Sequence, residues 1–381
     1  MKKLILLSLI LAFFSACEQK QEQSSQANQE LSKEISQSTD SQDEPKAQNQ
    51  CSLKVFGAAP PISVLLELLY PEGMIGLNYK PYPEDVSFMP EGVADLPILG
   101  HTGGNLNFEQ IASLKPDVMF FSDNTLDSVI EPYAKIGIES VKIPAFFYEQ
   151  SSKAIEIISE SLSKNEQCIA VIKPRSENLL AFLEESENLL KKAQDILDSQ
   201  ISKEEHLQEK IDEDSNVSHI KAHSLRPRVY FAQGFDGLKT QCGDEGDLAY
   251  KLGGINAIAC ESLSNAQGQT SIDFELLASL NPEVIFVREI GFFNELINNP
   301  NPKWQELSAL KNKQVFYAPS SPSNWLMRPP SILQSIGLVW GLSKIHPELI
   351  SDEVVKDYAQ RFYRTFLQPL SDEEYQRLQG L

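Results

Sequence analysis

The chain has 381 residues, enough for two domains, and its 53 acidic against 33 basic side chains give a net charge of −20. A surface of this sign has no basic stripe to neutralise phosphates, so nucleic acid is excluded as a partner. The motifs GxGxxG, GxxxxGK[ST], GxSxG and HExxH do not occur. The sequence therefore gives no indication of an enzyme.

The first residues predict an export signal. A basic start, an apolar run at 4–14 and two small residues lead to Cys17. The apolar run is too short to cross a bilayer as a helix. Cys17 resembles the lipidated cysteine of the bacterial lipobox, although Phe14 stands where leucine is usual. Residues 18–50 are too polar to fold and are expected to be a disordered tether, so we expect a lipid-anchored protein on the periplasmic side of a bacterial membrane.

The N-terminal lobe is predicted over 51–164. Buried strands are predicted at 53–56, 118–121 and 138–143. Ligands of parallel α/β sheets bind outside the carboxyl ends of the strands, so the loops that follow these strands, and the loop at 100–104, should face a groove. The candidate ligand-binding residues in these loops are Ala59, Pro60, His101, Thr102, Asn124, Phe147 and Tyr148.

One phrase occurs twice. Residues 108–121 read FEQIASLKPDVMFF and residues 274–287 read FELLASLNPEVIFV, with eight of fourteen positions identical. In both copies an acidic residue lies at the start of a short amphipathic helix, a proline ends it and a buried strand follows. The repeat predicts two similar α/β lobes, and a groove between lobes is a favoured place for a ligand.

One long helix is predicted between the lobes. The helical pattern runs from Arg175 to about Ile201, within a connecting region at 165–201. Pro174, directly before this pattern, is expected to interrupt the helix. About 25 residues span roughly 37 Å, which suits a rigid spine joining two lobes. The polar residues 202–225 are expected to form an exposed insertion.

The C-terminal lobe is predicted over 226–381. Strands are predicted at 228–232, 284–287 and 315–318, and a helix at 248–254. The loops that follow the strands should face the same groove. They supply the candidate ligand-binding residues Gln233, Asp236, Arg288, Trp325 and Arg328.

Four cysteines remain besides Cys17, and an exported protein folds where disulfides are permitted. Three connectivities exist. Two cysteines of the second lobe favour a local bridge, Cys242–Cys260. Cys51 and Cys168 are then left in the first lobe, either as a second disulfide or as two free thiols.

Several phrases occur in a fixed order across 51–350. They are NFEQIASLKPDVMFF, DFELLASLNPEVIFV, KLGGINAIA, WQELSALKNKQVFYAP and GLVWGLSKIHPELI. This set resembles the substrate-binding proteins of ABC importers for iron–siderophore complexes, vitamin B12 and haem. The resemblance implies an α/β fold of two Rossmann-like lobes, each a mostly parallel sheet flanked by helices, joined by one long helix. It also implies an ABC permease dimer with its ATPase as partner, and we expect a monomer.

Trp325 and the run Arg328-Pro329-Pro330-Ser331 resemble a subgroup of iron or nickel chelate receptors. An anionic chelate favours arginine, because the guanidinium binds oxygen pairs bidentately and stacks on aromatic rings. The expected ligand is a ferric siderophore or a nickel chelate, with cobalamin or haem as the alternative. A surface lipoprotein without a transport role is the remote alternative.

No intrinsic cofactor and no direct metal site are expected, because the chain has only five histidines. His101 could serve as a single ligand or contact. His219 and His223 have metal-ligand spacing but fall in the polar insertion, where an exposed loop is the better interpretation.

The repeat also places Glu109 and Glu275 at equivalent helix starts, where an acid complements the helix dipole. In the resembled family, an acid at this place in each lobe docks onto arginines of the permease. The resemblance therefore implies a docking role for both residues.

Overall fold

The computed structural model describes residues 51–144, 148–212, 225–242, 244–258 and 268–381. Outside these residues lie the predicted leader, Cys17, the tether, Phe147, His219, His223 and Cys260. The expected Cys242–Cys260 bridge therefore also lies outside the described residues and stays a prediction.

The N-terminal lobe is built on three parallel strands in the order β1-β2-β3. The strands are β1 (Val55–Gly57), β2 (Val118–Ser122) and β3 (Glu139–Ile143). The helices are α1 (Pro60–Leu69), α2 (Phe108–Leu114), α3 (Asp127–Lys135) and α4 (Ser151–Ser163). Short 3-10 turns lie at Pro71–Gly73, Val86–Phe88, Val93–Asp95 and Tyr148–Gln150. All three predicted strands are present.

The linking helix α5 (Glu166–Asp212) has 47 residues and a length of about 70 Å. The prediction of one long helix is confirmed, but its bounds were wrong at both ends. Pro174 lies inside the helix, where buried neighbours such as Cys168 and Ile172 offset the one backbone hydrogen bond that proline removes. The first residues expected to form a polar loop, 202–212, continue the helix instead.

The C-terminal lobe has a four-stranded parallel sheet in the order β6-β4-β8-β9 and an antiparallel pair, β5-β7. The strands are β4 (Arg228–Ala232), β5 (Lys239–Cys242), β6 (Ile255–Asn256), β7 (Gly268–Ser271), β8 (Val284–Val287) and β9 (Val315–Tyr317). The helices are α6 (Asp244–Lys251), α7 (Phe274–Leu280), α8 (Ile290–Asn298), α9 (Pro302–Gln305), α10 (Ser308–Lys311), α11 (Gln334–Ile345), α12 (Asp352–Phe366) and α13 (Asp372–Leu378). The helix expected at 248–254 begins four residues earlier than predicted.

The sequence repeat is also a structural repeat. Asn107 and Asp273 cap helices α2 and α7, each accepting a backbone N–H three residues further on, at 3.1 and 2.7 Å. Both helices end at a residue with left-handed backbone, Lys115 at φ 50° and Asn281 at φ 42°, directly before a proline. The strands that follow, β2 and β8, lie inside their sheets and are buried along their whole length.

One apolar core runs through both lobes by way of α5, which packs on α4 and α11. Two smaller cores fill the opposite face of each sheet. The disulfide between Cys51 and Cys168 ties the start of α5 to the N-terminal lobe, with Cα atoms 4.5 Å apart. No helix within the described ranges is both long and apolar enough to cross a membrane.

Candidate ligand-binding cleft

The two lobes meet at a crevice outside the carboxyl ends of the strands. Pro61 and Pro144 follow β1 and β3 on one side, and the segment 330–332 of the C-terminal lobe closes the other. The full lining is Pro61, Leu65, Pro144, Ser151, Ala154, Pro330, Ser331 and Ile332.

A buried asparagine holds the histidine-bearing loop on the edge of the N-terminal sheet. The Asn78 Nδ2 atom donates to Gly57 O at 2.9 Å and to Gly100 O at 2.8 Å, so one amide joins the end of β1 to the start of the loop. The backbone N–H of Thr102 donates to Ala58 O at 2.9 Å beside it. These bonds fix the height of the loop above the sheet.

His101 is partly exposed and forms a hydrogen bond with a tyrosine. Its Nδ1 accepts from the backbone N–H of Gly103 at 3.2 Å, so the neutral imidazole carries its proton on Nε2. That Nε2–H donates to the Tyr79 hydroxyl at 2.5 Å, and the two ring centroids are 4.9 Å apart. Tyr79 is 58% exposed and was not among the predicted residues.

The five other described candidates of the N-terminal lobe differ in solvent exposure. Ala59 is buried at the start of α1, whereas Pro60 and Thr102 are partly exposed and Asn124 is exposed. The prediction that Tyr148 faces the groove is wrong. Its ring is buried, its hydroxyl hydrogen-bonds Ser186 Oγ of α5 at 2.5 Å, and it packs on the spine instead of facing the groove.

The loop that follows β4 presents an aromatic ring. Gln233 is fully buried, and its backbone pairs with Lys239. Asp236 is exposed, and its Oδ1 accepts from Leu238 N at 3.1 Å, which shapes the turn. Phe235, between them, is 95% exposed. It stands at the carboxyl edge of the sheet, and sequence reasoning passed over it.

Arg288 lies at the same edge, because β8 pairs with β4 and Arg288 N donates to Ala232 O at 3.0 Å. Its Nη1 lies 3.1 Å from Glu289 Oε1, and about one third of its side chain is exposed. Part of its charge is therefore already balanced within the lobe.

The conformation of the segment 319–330 contradicts the prediction that Trp325 contacts the ligand. Asn324 Oδ1 accepts from the backbone N–H groups of Leu326 and Met327, which folds the segment into a tight turn. This turn directs the Trp325 indole inward, where it is 0% exposed and donates to the Tyr363 hydroxyl at 2.9 Å. Trp325 is a core residue, while Arg328 at the end of the same turn is exposed.

Acidic side chains from both lobes converge near the groove. Burial raises the pKa of the Tyr317 phenol at the end of β9, and the charges of Asp85 and Glu84 from one lobe and Glu289 from the other raise it further. Asp85, Glu84 and Glu289 therefore place negative charge near the end of β9.

The two predicted docking acids differ. Glu109 is exposed, and within the described residues it forms no ion pair. Glu275 Oε1 lies 3.2 Å from Lys303 Nζ, and hydrogen bonding to its own backbone and to that ammonium lowers the pKa of the carboxyl. Glu275 therefore has an ion-pair partner within the protein.

No group of three or more histidine, cysteine, aspartate or glutamate side chains that could hold a metal ion occurs in the described part of the chain. The site offers a phenol–imidazole pair, exposed rings and arginines.

The sequence profile of the periplasmic binding protein family matches residues 79–322, which is nearly two thirds of the chain. The chain belongs to this family. Like its relatives, the binding protein is an exported periplasmic protein that serves as the substrate-binding component of an ABC importer, with a permease and an ATPase as partners. It is not an enzyme.

Solved structures and curated relatives support the two-lobed fold. An ABC transporter solute binding protein from Sulfurospirillum deleyianum has a TM-score of 0.64 and 25% identity, covering 89% of this chain and 97% of that one. The molybdate-binding protein MolA of Haemophilus influenzae is 22% identical over 273 residues, covering 70% of this chain and 72% of MolA. The vitamin B12 binding protein BtuF of Vibrio cholerae has a TM-score of 0.52 and 15% identity, covering 78% of this chain and 98% of BtuF.

Proposed function

We propose that the binding protein captures an anionic metal chelate, such as a ferric siderophore or a nickel chelate, and delivers it to the permease. The observation that carries this proposal is a pair of exposed aromatic rings, Tyr79 beside His101 in the N-terminal lobe and Phe235 after β4 in the C-terminal lobe, together with Arg288 and Arg328. Rings of this kind offer flat apolar faces to an organic chelator, and arginine forks bind its oxygens.

The phenol–imidazole pair supplies a polar contact from the N-terminal lobe. Because His101 Nε2–H donates to the Tyr79 oxygen, the tyrosine keeps its own O–H as a donor. A chelate oxygen is a suitable acceptor for it. The two hydrogen bonds from Asn78 fix the position of the loop that carries His101. This lowers the entropy cost of ordering the site when the ligand binds.

A tetrahedral oxyanion such as molybdate is the second candidate, favoured by the similarity to MolA. An oxyanion is typically held by converging N–H donors or a helix N-terminus in an enclosed site. Exposed rings add nothing to such a site. The exposed rings therefore favour an organic chelate over a bare oxyanion, while cobalamin and haem fit the same reasoning less directly because they need more apolar surface.

Calorimetric titration of chelator-free protein tests the proposal. Bare Ni²⁺ and Fe³⁺ should bind weakly, and a ferric catecholate or a nickel citrate complex should bind with micromolar affinity or better. Phe235→Ala should weaken binding of the chelate about 3- to 10-fold, because a stacked ring is lost. The matched change at an exposed residue between α3 and the amino end of β3, outside the groove loops, Ile136→Ala, should leave it unchanged. Tight binding of molybdate or of a bare ion, insensitive to Phe235→Ala, would sink the chelate proposal.

Two further features belong to the same proposal. Lipidation of Cys17 would anchor the protein to the membrane, with residues 18–50 as its tether. Glu109 and Glu275 would dock the two lobes onto the two-fold permease.

A further inference from the structure

A glutamate is buried where the two lobes meet. Glu67 lies on α1 and is 7% exposed, and no basic side chain of the described residues pairs with it. Burial, and then the nearby charge of Asp85, raise the pKa of the Glu67 carboxyl to about 8. A carboxyl in these surroundings keeps its proton at neutral pH.

The neighbouring carboxylate reaches the other lobe. Asp85 is 7% exposed, and its Oδ1 accepts a hydrogen bond from Ser321 Oγ at 2.6 Å, which joins residues 236 positions apart in the chain. Burial raises the pKa of Asp85, and the Ser321 hydrogen bond opposes that rise. The Ser321 bond therefore favours the charged form of Asp85.

On the C-terminal side, the contact continues into the segment that carries Arg328. The Tyr363 hydroxyl of α12 donates to Ser321 O, and the Trp325 indole donates to the Tyr363 hydroxyl at 2.9 Å. A chain of hydrogen bonds thus runs from the N-terminal lobe, through Ser321 and Tyr363, to the buried side of the 319–330 turn. These bonds connect Asp85 to the turn.

The other titratable and charged groups around the contact come from four directions. Glu84 precedes Asp85, and the phenols of Tyr317 on β9 and Tyr363 on α12 face it. Arg377 of α13 lies over the Phe88 ring at 5.6 Å and also lies 4.0 Å from Glu374. In the described part of the chain, no cation pairs with either buried acid, so nothing there would neutralise a second negative charge.

We propose that Glu67, Asp85 and Ser321 form a proton-controlled latch between the lobes. With a proton on Glu67, ionised Asp85 holds Ser321 and the lobes are joined. When that proton leaves, two like charges share a buried site, where repulsion is much stronger than in water. Outward movement of Asp85 relieves the repulsion, breaks the Asp85–Ser321 bond and frees the turn that carries Arg328. The latch does not depend on which ligand the cleft binds.

Fluorine NMR of protein labelled with 5-fluorotryptophan tests the latch without a ligand. The chain has three tryptophans, and Trp304 and Trp340 provide internal references because neither touches the latch. The Trp325 resonance, assigned with Trp325→Phe, should shift between pH 6 and pH 10 with a midpoint near 8. Ser321→Ala should give the high-pH position of this resonance already at pH 6.

The matched variants separate the latch from a general effect of pH. Glu67→Gln mimics the protonated acid and should abolish the shift, while Glu91→Gln, the same change at an exposed site, should retain it. A Trp325 resonance that is constant from pH 6 to 10, or a shift that persists in Glu67→Gln, would overturn the proposal. So would a Ser321→Ala protein whose Trp325 resonance at pH 6 matches that of the unsubstituted protein.

Discussion

At the scale of single residues, the cleft depends as much on side chains that hold loops as on side chains that protrude. Asn78 is 5% exposed, yet its amide fixes the loop that presents His101. Asn324 does the same for the turn that presents Arg328. A sequence read without contacts favours conspicuous residues such as Trp325, whose indole proves to be part of the core.

The buried acid gives a pH dependence of stability whose sign can be worked out. The pKa of Glu67 is about 8 in the folded protein against 4.5 for an exposed glutamate. Between these values the unfolded chain releases the proton while the folded one keeps it, so the contribution of Glu67 to stability falls as pH rises from 4.5 to 8. Above pH 8 the penalty is constant, at up to about 5 kcal/mol.

Urea unfolding at several pH values measures this effect. The free energy of unfolding of Glu67→Gln minus that of the unsubstituted protein should grow from pH 5 to pH 8 and then level off. Glu91→Gln serves as the control, and its difference should stay flat. A Glu67→Gln difference that is independent of pH would show that Glu67 titrates normally.

At the scale of elements, the helix–strand repeat could be predicted from the sequence because each helix start, helix end and strand has a local cause. Asn107 and Asp273 are strong caps, Pro116 and Pro282 stop the helices, and apolar runs form strands buried on both faces. The full length of α5 could not be predicted from the sequence. Pro174 is normally a stop, and only packing against both lobes, which local sequence does not contain, explains why the helix continues through it.

The same limit applies to the site. Arg288, which is partly exposed, and Arg328, which is exposed, were predictable because they follow strands and the carboxyl edge of a sheet is a general binding place. Tyr79 and Phe235 were not found, since neither stands in a recognisable motif and their exposure depends on tertiary placement. A search for aromatic residues in every loop after a strand would have found Phe235, but no local signal marks Tyr79.

The disulfide joins two elements, and its contribution to stability can be measured. The bridge between Cys51 and Cys168 closes a loop with a sequence separation of 117, for which chain entropy gives about 4–5 kcal/mol. Cys51→Ser/Cys168→Ser should lower the free energy of unfolding by that order in urea. Reduction of the unsubstituted protein should match the double variant. An equal stability of the two proteins under oxidising conditions would contradict this account.

At the scale of the whole molecule, the docking proposal requires two similar lobes on one spine to meet a two-fold permease. The two proposed docking acids are not equally available, because Lys303 pairs with Glu275, whereas Glu109 forms no ion pair with any residue that the structure describes. The Lys303–Glu275 pair is exposed and contributes little to stability, so docking as proposed would displace Lys303 at small cost.

Transport assays in cells test the docking proposal. Glu109→Ala with Glu275→Ala should reduce uptake sharply while leaving ligand affinity of the isolated protein unchanged. Lys303→Ala removes only the internal partner and should preserve uptake. Normal transport by the double variant, or loss of its ligand binding in solution, would contradict docking through these acids.

The most direct test of the central claim is the composition of the protein as it occurs in its own periplasm. Native mass spectrometry and metal analysis of one purified sample should find about one iron or nickel per protein, with an added mass that exceeds the metal by that of an organic chelator. Release under denaturing conditions should yield that chelator. Molybdenum without an organic component, or a stoichiometric bare ion, would contradict the account.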